Sequence, residues 1–212
     1  MILSIINNKG GVGKSTLCVN LAVSYANQNH NHKVILLDCD KQKTSTNWCI
    51  KRKQNNLTPP IPYRTITSDI RETVKPLSKE YQTILIDTMG HDDSGMRAAM
   101  IVSDIVLIPV KCNQVDLEQL PSLQKLIDKA KELNKKLQAK VVINAAPTFK
   151  GEDVISAQSF IKSYTNFTML ETIIFNRRIW ADCMILGQGI EETKPNNIKA
   201  NLELNQLIGE LK

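Results

Sequence analysis

The chain has 212 residues, 42% hydrophobic and 23% charged, which is typical of a soluble folded domain and excludes disorder as its main state. Its five cysteines are odd in number and lack the spacing of zinc or disulfide frameworks, which favours a reducing cytoplasm. No apolar run approaches the ~20 residues of a membrane span. The net charge of +6 comes from residues 41–64, which hold six basic and no acidic residues. We expect a single domain over residues 1–212.

Short runs of Val, Ile and Leu alternate with helical patterns along the whole chain. Strands are expected at residues 2–6, 33–38, 63–66, 83–87, 105–110, 140–144 and 169–174. Helices are expected at residues 15–28, 44–54, 68–77, 96–103, 117–137, 153–163, 179–186 and 196–211. Continuous apolar strands that alternate with helices are typical of parallel sheets covered on both faces. The pattern therefore predicts an α/β fold with a doubly wound, mainly parallel sheet.

The segment Asn8 to Thr16 reads NKGGVGKST and lies between the first expected strand and the first expected helix. Its glycines let successive backbone N–H groups point at a phosphate, and the following helix presents its positive N-terminus to the same anion. Lys14 is expected to reach the β- and γ-phosphates, and the Ser15 hydroxyl to coordinate Mg²⁺. Thr16 is placed to bond the α-phosphate. The predicted ATP-binding residues are Lys9, Gly10, Gly11, Val12, Gly13, Lys14, Ser15 and Thr16.

The strict GxxxxGK[ST] pattern fails at Asn8, and Lys9 supplies a second lysine. KGGVGKS thus resembles the deviant Walker A motif of the ParA/MinD family of P-loop ATPases, and within it the small ParA-type partition ATPases. VILLDCDKQ at residues 34–42 is similar to the family's D-x-D-P-Q element, with Lys41 in place of the proline. TILIDTMG at residues 83–90 is similar to its Walker B strand and switch loop. IVLIPVKCNQVD at residues 105–116 and TNWCIK at residues 46–51 support the resemblance, which covers essentially the whole chain.

The metal site expected from this motif has Ser15 as a direct ligand and Asp38 and Asp87 bound to Mg²⁺ through water. The resemblance implies that Asp40 orients the attacking water. It also implies that Lys9 acts in the partner subunit, so that two ATP molecules are sandwiched in a homodimer. Lys9, Lys14 and Asp40 are thus the expected catalytic residues. Asn144 either contacts adenine, as in relatives, or caps a turn before Pro147.

The resemblance implies a cytoplasmic, nucleoid-associated partition ATPase that binds duplex DNA non-specifically. A small centromere-binding adaptor of the ParB or ribbon-helix-helix type would stimulate its hydrolysis. Non-specific DNA binding needs exposed cations that neutralise phosphates, and any one of these side chains is as readily part of a solvated face. The candidates are Arg177, Arg178, Lys194 and Lys199, with Lys51, Arg52 and Lys53 as a second option.

Two other classes of function are compatible with a phosphate loop. A MinD-like membrane ATPase needs a basic amphipathic C-terminal helix, but the helix expected at residues 196–211 is neutral and lacks aromatic residues. We therefore expect no membrane partner. A small-molecule synthetase would not need Lys9. An iron–sulfur reductase needs paired cysteines, and only Cys112 lies between Asp87 and Asn144.

Overall fold

The computed structural model describes residues 1–28, 32–91, 94–148, 151–194 and 197–212. Its core is one sheet of seven parallel strands in the order β3-β2-β4-β1-β5-β6-β7. The strands are β1 (Ile2–Ile5), β2 (Val34–Asp38), β3 (Tyr63–Thr65), β4 (Thr83–Asp87), β5 (Ile105–Val110), β6 (Gln138–Ala146) and β7 (Thr168–Phe175). All seven expected strands are confirmed, and β6 and β7 extend beyond their expected ends.

Nine α-helices connect and cover these strands within the described residues. They are α1 (Lys14–Gln28), α2 (Thr44–Gln54), α3 (Ile70–Leu77), α4 (Ser94–Val102), α5 (Gln114–Leu117), α6 (Leu120–Leu133), α7 (Glu152–Lys162), α8 (Ile179–Leu186) and α9 (Ile198–Glu210), with a short 3₁₀ helix at Ile190–Glu192. None of them is long and apolar enough to cross a bilayer. The first residue of the helix expected at 196–211 lies outside the described residues.

The helix expected at residues 117–137 is confirmed as α6, but it is shorter than expected. A separate short helix, α5, ends at Leu117, where the expected helix began. The Asn113 side chain accepts from Asp116 N at 2.9 Å and begins the short α5. Pro121 then lies in the first turn of α6. Proline has no N–H to donate and its ring clashes with the carbonyl four residues earlier, so it starts a helix but does not continue one.

The two faces of the sheet are covered by different helices. Helices α1, α2, α8 and α9 pack on one face against Leu36, Leu85 and the strand residues in register with them. Helices α3, α4, α6 and α7 pack on the other face, against alternate strand residues such as Ile35 and Ile86. The central strands β2, β4, β1 and β5 are thus buried on both sides, which explains their continuous apolar sequences. The edge strand β3 is largely exposed. Helices on both faces confirm the doubly wound α/β fold.

Helices α1 and α2 are both fastened to the segment between α8 and α9. Asn20 Oδ1 on α1 accepts from Ile190 N at 2.8 Å. The buried Arg52 of α2 forms two hydrogen bonds of 2.7 Å with Glu192 and one of 3.2 Å with the Gly187 carbonyl. Gly187 has φ +70°, and a Cβ there would lie 2.5 Å from Arg52 N. Glycine is required at this position both for backbone conformation and for space.

The parallel register gathers the polar residues at the carboxyl edge of the sheet. Ile5, which precedes the phosphate loop, pairs with Asp87, and Asp87 in turn pairs with Asp38. The strand order reverses at β1, which lies between β4 and β5 although it is first in sequence. Ligands of open α/β sheets bind at such a switch point.

Candidate functional site: a phosphate loop with two buried aspartates

The phosphate loop wraps from β1 into α1, and two of its glycines have positive φ. Gly11 has φ +72° and Gly13 has φ +92°, conformations that other L-residues rarely adopt. A Cβ on Gly13 would also lie 2.2 Å from the Asn144 amide nitrogen. The loop glycines are therefore fixed by backbone conformation, and at Gly13 also by the close approach of β6.

Asn144 supports the loop from the adjacent strand. Its amide nitrogen donates to the Val12 carbonyl at 2.7 Å, and its side chain is buried. The sequence left two roles open, an adenine contact and a turn cap. The structure adds a third role, because this bond holds the peptide between Val12 and Gly13 against β6.

Lys14 is buried at the centre of the loop. Its ammonium donates to the Lys9 carbonyl at 2.9 Å, across the concave side of the loop where a phosphate chain would lie. Burial lowers its pKa, while Asp87 and Asp40 act in the opposite direction. The Lys14 ammonium thus already lies inside the loop. When a nucleotide binds, its hydrogen bond to the Lys9 carbonyl oxygen would be replaced by bonds to phosphate oxygens.

Asp87 is the most perturbed carboxyl group of the site. It is fully buried, and burial raises its pKa to about 7 despite hydrogen bonding from Ser15 and Ser45, with Asp38 raising it further. Ser45 Oγ donates to its Oδ2 at 2.5 Å. Its other oxygen, Oδ1, is buried without a hydrogen bond of sound geometry among the described residues. This carboxylate is therefore poised for a cation.

Asp38 and Asp40 organise the turn that leads from β2 into α2. The buried Asp38 accepts from Asp40 N at 3.0 Å and from Thr46 N at 2.8 Å. Asp40 accepts from Gln42 N at 2.9 Å and lines a cavity of about 780 Å³ that also contains Lys41 and His91. Asp38 thus sits beside Asp87, whereas Asp40 faces open space from which a water could approach.

Lys9 lies at the rim of the loop and points away from its own phosphate site. Its ammonium forms an ion pair with Asp116 of α5, and the Lys9 side chain is 37% exposed while that of Asp116 is 1% exposed. The backbone of Lys9 is fixed by its N–H, which donates to Asn7 Oδ1 at 2.9 Å. The two lysine ammonium groups therefore have different partners, since that of Lys9 pairs with Asp116 and that of Lys14 bonds the Lys9 backbone carbonyl.

The loop after β4 closes over the phosphate loop. A Cβ on Gly90 would lie 3.0 Å from the Gly10 backbone and 3.2 Å from Lys14 Nζ. Two residues before Gly90, the Thr88 hydroxyl donates to the Ile5 carbonyl at 2.9 Å. Gly90 thus brings the backbone of this loop into contact with the phosphate loop beside the Lys14 ammonium.

These residues fit the binding of a nucleoside triphosphate with Mg²⁺. The unpaired Oδ1 of Asp87, the adjacent Asp38 and the Ser15 hydroxyl form an all-oxygen donor set of the kind that Mg²⁺ prefers. Within the described residues, no cluster of three or more His, Cys, Asp or Glu forms a metal site by protein ligands alone. Mg²⁺ in NTPases is held by few protein ligands, waters and substrate phosphates, so this is the expected arrangement.

The candidate DNA-binding cations fall into two groups. Arg178, Lys194 and Lys199 are exposed, and the Arg178 side chain is 92% exposed. Arg177 instead binds Glu203 at 2.8 and 2.5 Å and lies over the Phe175 ring. Arg177 is thus held in an ion pair inside the protein, and its part in DNA binding stays a prediction.

Arg52 is also held in an ion pair. It is 1% exposed, stacks on Trp48 and has its charge compensated by Glu192. Lys51 and Lys53 on either side of it are exposed. The second DNA-binding option is thus reduced to these two lysines, since a buried, paired guanidinium cannot reach a phosphate.

Three residues of the site were not identified from the sequence. Ser45 bonds Asp87, Asn7 orients the Lys9 backbone and donates to the Pro109 carbonyl at 2.8 Å, and Asp116 pairs with Lys9. Asn7 directly precedes the loop, which was an available signal. Asp116 ends the motif at residues 105–116, which gave no pairing with Lys9, and nothing local in the sequence points to Ser45.

The chain is similar to characterised nucleotide-binding proteins. Residues 3–177 match the family described as the CobQ/CobB/MinD/ParA nucleotide binding domain. Maintenance of carboxysome distribution protein A from Halothiobacillus neapolitanus is 23% identical over 99% of this chain and 95% of its own length. Chromosome partitioning protein ParA from Myxococcus xanthus is 25% identical over 89% of this chain and 80% of its own length.

Among solved structures, a plasmid partition protein from Borrelia burgdorferi bound to AMPPNP superimposes with a TM-score of 0.75. The two chains are 20% identical, and the match covers 99% of this chain and 98% of the other. This likeness shows that the fold is shared over the full described sheet and its helices.

Proposed function

Because the chain belongs to the CobQ/CobB/MinD/ParA nucleotide-binding family, we propose that it is a ParA-type partition ATPase that hydrolyses ATP with Mg²⁺. The observation that carries this proposal is the side chain of Lys9, which is partly exposed at the phosphate loop and pairs with Asp116 of α5. A family member that acts alone on a small molecule has no use for such a lysine. A sandwich dimer does.

The residues divide the chemistry as phosphoryl transfer requires, through charge neutralisation and a positioned water. Lys14 and the loop N–H groups bind the phosphates, while Ser15, with Asp38 and Asp87 through water, holds Mg²⁺. Mg²⁺ supplies neutralisation of the charge that develops between the phosphates. Asp40 orients the attacking water from the cavity that it lines.

Dimerisation follows from the charge of Lys9. When ATP fills the loop, its phosphates offer Lys9 of a second copy an anion with more charge than Asp116. Two copies that face each other then exchange lysines, and the free energy of each new ion pair stabilises the dimer. ADP has one phosphate fewer, so the dimer is weakened by hydrolysis.

The exposed cations are the proposed DNA-binding residues. Arg178, Lys194 and Lys199 bind the phosphates of duplex DNA of any sequence, and dimerisation doubles their number on one assembly. A small centromere-binding adaptor stimulates hydrolysis, and the protein acts in the cytoplasm on the nucleoid. The cargo is a plasmid or chromosome, as the name of the Myxococcus relative suggests.

A second cargo class is favoured by the relative that aligns over 99% of this chain, which is named for carboxysome distribution. The same cycle of ATP, dimer and DNA would then position a protein compartment in place of DNA. A membrane role is less favoured, because α9 buries Leu204, Leu207 and Ile208 against the body of the protein. Those side chains are not free to insert into lipid.

The test compares Lys14→Ala and Lys9→Ala with Lys136→Ala, an exposed lysine far from the loop, as matched control. We expect Lys14→Ala to lose at least about tenfold in affinity for a fluorescent ATP analogue. Lys9→Ala should keep that affinity but remain monomeric in sedimentation velocity with MgATP. If Lys9→Ala dimerises like the parent, the exchange of lysines is wrong. If Lys14→Ala binds the analogue normally, the phosphate-loop assignment fails.

A further inference from the structure

A largely apolar cavity opens where the chain that leaves α2 joins the edge strand β3. It encloses about 730 Å³, a size typical of small-molecule sites in proteins. Its walls are the later part of α2, the segment that leads into β3, Ile35 of β2, and Tyr81 just before β4. Among the described residues, those of the phosphate loop and the aspartates of the metal site take no part in the lining.

The short length of β3 explains why this cavity exists. β3 pairs only with the last three residues of β2, Leu36–Asp38, whereas β4 pairs with β2 along its whole length. Pro62 directly precedes β3 and has no N–H to give to a ladder, so the strand does not extend backwards. Within the described sheet, the outer edge of β2 at Ile35 is therefore covered by a loop and a helix end, which leave space between them.

The inner wall of the cavity is apolar. Ile35, Cys49 and Ile61 are buried, with exposed fractions of 2%, 3% and 7%. Leu57 and Tyr63 are half-buried and extend this wall towards the opening. An apolar ligand that fills the space removes its own surface and that of the wall from water, which is the main source of affinity in such sites.

The charge of the cavity is positive. Lys53 and Arg64 belong to the lining, both are exposed, and neither forms an ion pair within the described part of the chain. Arg52 also lines the cavity, but its charge is already compensated by an ion pair. The lining residues include no carboxylate, and Glu80, next to Tyr81 in sequence, is not one of them. Lys53 and Arg64 thus offer two uncompensated positive charges.

The C-terminus of α2 does not cancel this charge through free carbonyl groups. The end of a helix carries about half a negative charge because its last carbonyls lack partners. Here the carbonyls of residues 51–53 accept hydrogen bonds from the N–H groups of residues 55–57, at 2.9 to 3.1 Å. The side chains of Lys53 and Arg64 therefore determine which charge the cavity attracts.

We propose that this cavity binds a small amphipathic carboxylate. The apolar body of the ligand lies against Ile35, Cys49 and Ile61, and its carboxylate is bound by the cations Lys53 and Arg64. A purely polar anion would leave the apolar wall in water, and an uncharged apolar molecule would gain nothing from the two cations. The site therefore favours a molecule with both properties. This inference does not rest on the proposed ATPase function.

Two probes with the same alkyl body separate the contributions of shape and charge. Octanoate carries the carboxylate, and 1-octanol carries an uncharged hydroxyl group in its place. Binding to the full nucleotide-free chain is measured by two-dimensional ¹H–¹⁵N NMR titration. We expect octanoate to bind about tenfold more tightly than octanol. The amides that shift most should be those of Leu57, Ile61 and Arg64.

Two variants test the charge and the wall separately. The charge variant, Lys53→Gln with Arg64→Gln, should bind octanoate about tenfold more weakly while its affinity for octanol is unchanged. The wall variant, Leu57→Gln, should weaken the binding of both probes. Lys135→Gln with Lys136→Gln is the matched control, since it removes two exposed lysines that do not line the cavity. The control should bind both probes like the parent.

Several outcomes would overturn the proposal. These are equal affinity of the parent for the two probes, unchanged octanoate affinity in the charge variant, an equal loss in the lysine control, and no saturable shift with octanoate. Sedimentation velocity adds one more. If the nucleotide-free parent is a dimer that Leu57→Gln converts to monomers, a second copy covers the cavity and the proposal is wrong. Because nucleotide is absent throughout, none of these failures bears on the proposed ATPase cycle.

Discussion

Burial sets the protonation of Asp87 in the nucleotide-free protein. Its pKa is raised to about 7, mainly because its charged form is desolvated, whereas an unfolded chain titrates near ~4. A carboxyl group with a raised pKa contributes fully to stability below the lower value. That contribution is lost as the pH rises from about 4 to about 7, because only the unfolded state gains from ionisation.

Asp87→Asn should therefore stabilise the protein at high pH without nucleotide. The amide keeps the shape of the carboxyl group and cannot ionise, so we expect a melting temperature several degrees above that of the parent at pH 8. The difference should shrink as the pH falls below about 7 and close at about pH 4. Thermal unfolding across this range without Mg²⁺ is the measurement. A difference that stays constant with pH would show that ionisation of Asp87 is not its cause.

Mg²⁺ with ATP supplies the complementary control for Asp87. The parent should gain melting temperature on addition of MgATP, since the ligand binds only the folded state. Asp87→Asn should gain much less, because it lacks the carboxylate proposed for the metal. Asp87→Asn should then melt above the parent without ligand and below the parent with MgATP.

Asp116 holds Lys9 in the isolated chain, and this ion pair opposes dimerisation. Asp116→Asn removes the charge while retaining a side chain that can still meet Asn113, its partner at 3.0 Å. We expect Lys9 to be released, so that dimers form at several-fold lower protein concentration with MgATP. Sedimentation equilibrium measures this shift. Weaker dimerisation than in the parent would mean that Asp116 orients Lys9 for exchange and does not compete for it.

At the scale of elements, α2 is anchored at both ends. Its first turn reaches the aspartates through Ser45 and Thr46, and its last turn is fixed by Arg52 to Glu192 and by Asn55 to the Leu186 carbonyl at 2.9 Å. Trp48 donates to the Gln188 carbonyl at 3.2 Å from the middle of the helix. The element that carries metal-site contacts therefore also positions the end of α8.

Arg52→Ala should destabilise the fold by about 3 kcal/mol, since it leaves Glu192 without its buried partner and empties the space over Trp48. Lys53→Ala is the control, because Lys53 is exposed and its loss should change the unfolding free energy by at most about 0.5 kcal/mol. Urea denaturation measures both. Equal effects would show that the Arg52 ion pair contributes no more than an average surface charge.

The elements that the sequence predicted well are those whose pattern is local. The strands through Leu36, Leu85 and Leu107 have continuous apolar runs, and the phosphate loop has its glycines and lysines in one segment. The division between α5 and α6 was missed, although Pro121 marks it, because the apolar period continues across the proline. The ion pairs of Arg52 and Arg177 were not predicted, because their partners, Glu192 and Glu203, are distant in sequence. Only packing shows that these two charges are neutralised.

For the whole molecule, the position of the free cations predicts the salt dependence of DNA binding. Each phosphate contact contributes about 0.9 to the slope of log affinity against log salt. Lys199→Ala removes one cation from each copy, so the slope of the ATP-bound dimer should flatten by about 1.8. Fluorescence anisotropy with duplexes of two unrelated sequences is the measurement.

Arg177→Ala is the informative comparison for this DNA measurement. Its guanidinium is held by Glu203, so its loss should lower thermal stability and leave the salt slope unchanged. A flatter slope for Arg177→Ala would mean that the ion pair opens when DNA binds. An unchanged slope for Lys199→Ala would move the DNA surface to Lys51 and Lys53.

The attachment of α1 and α2 to the segment Gly187–Glu192 couples the phosphate loop to the position of α8. Both helices start at the nucleotide site. The later turns of α1 contact the segment through Ser24 and Asn27, which donate to Glu191, and the last turn of α2 contacts it through Arg52 and Glu192. A helix of 15 residues such as α1 is about 22 Å long. A tilt of about 5° at the phosphate loop would move its far end by roughly 2 Å. Because both helices contact one segment, a small movement at the phosphate loop would displace α8. That displacement would change which side chains of the protein contact a rigid DNA duplex.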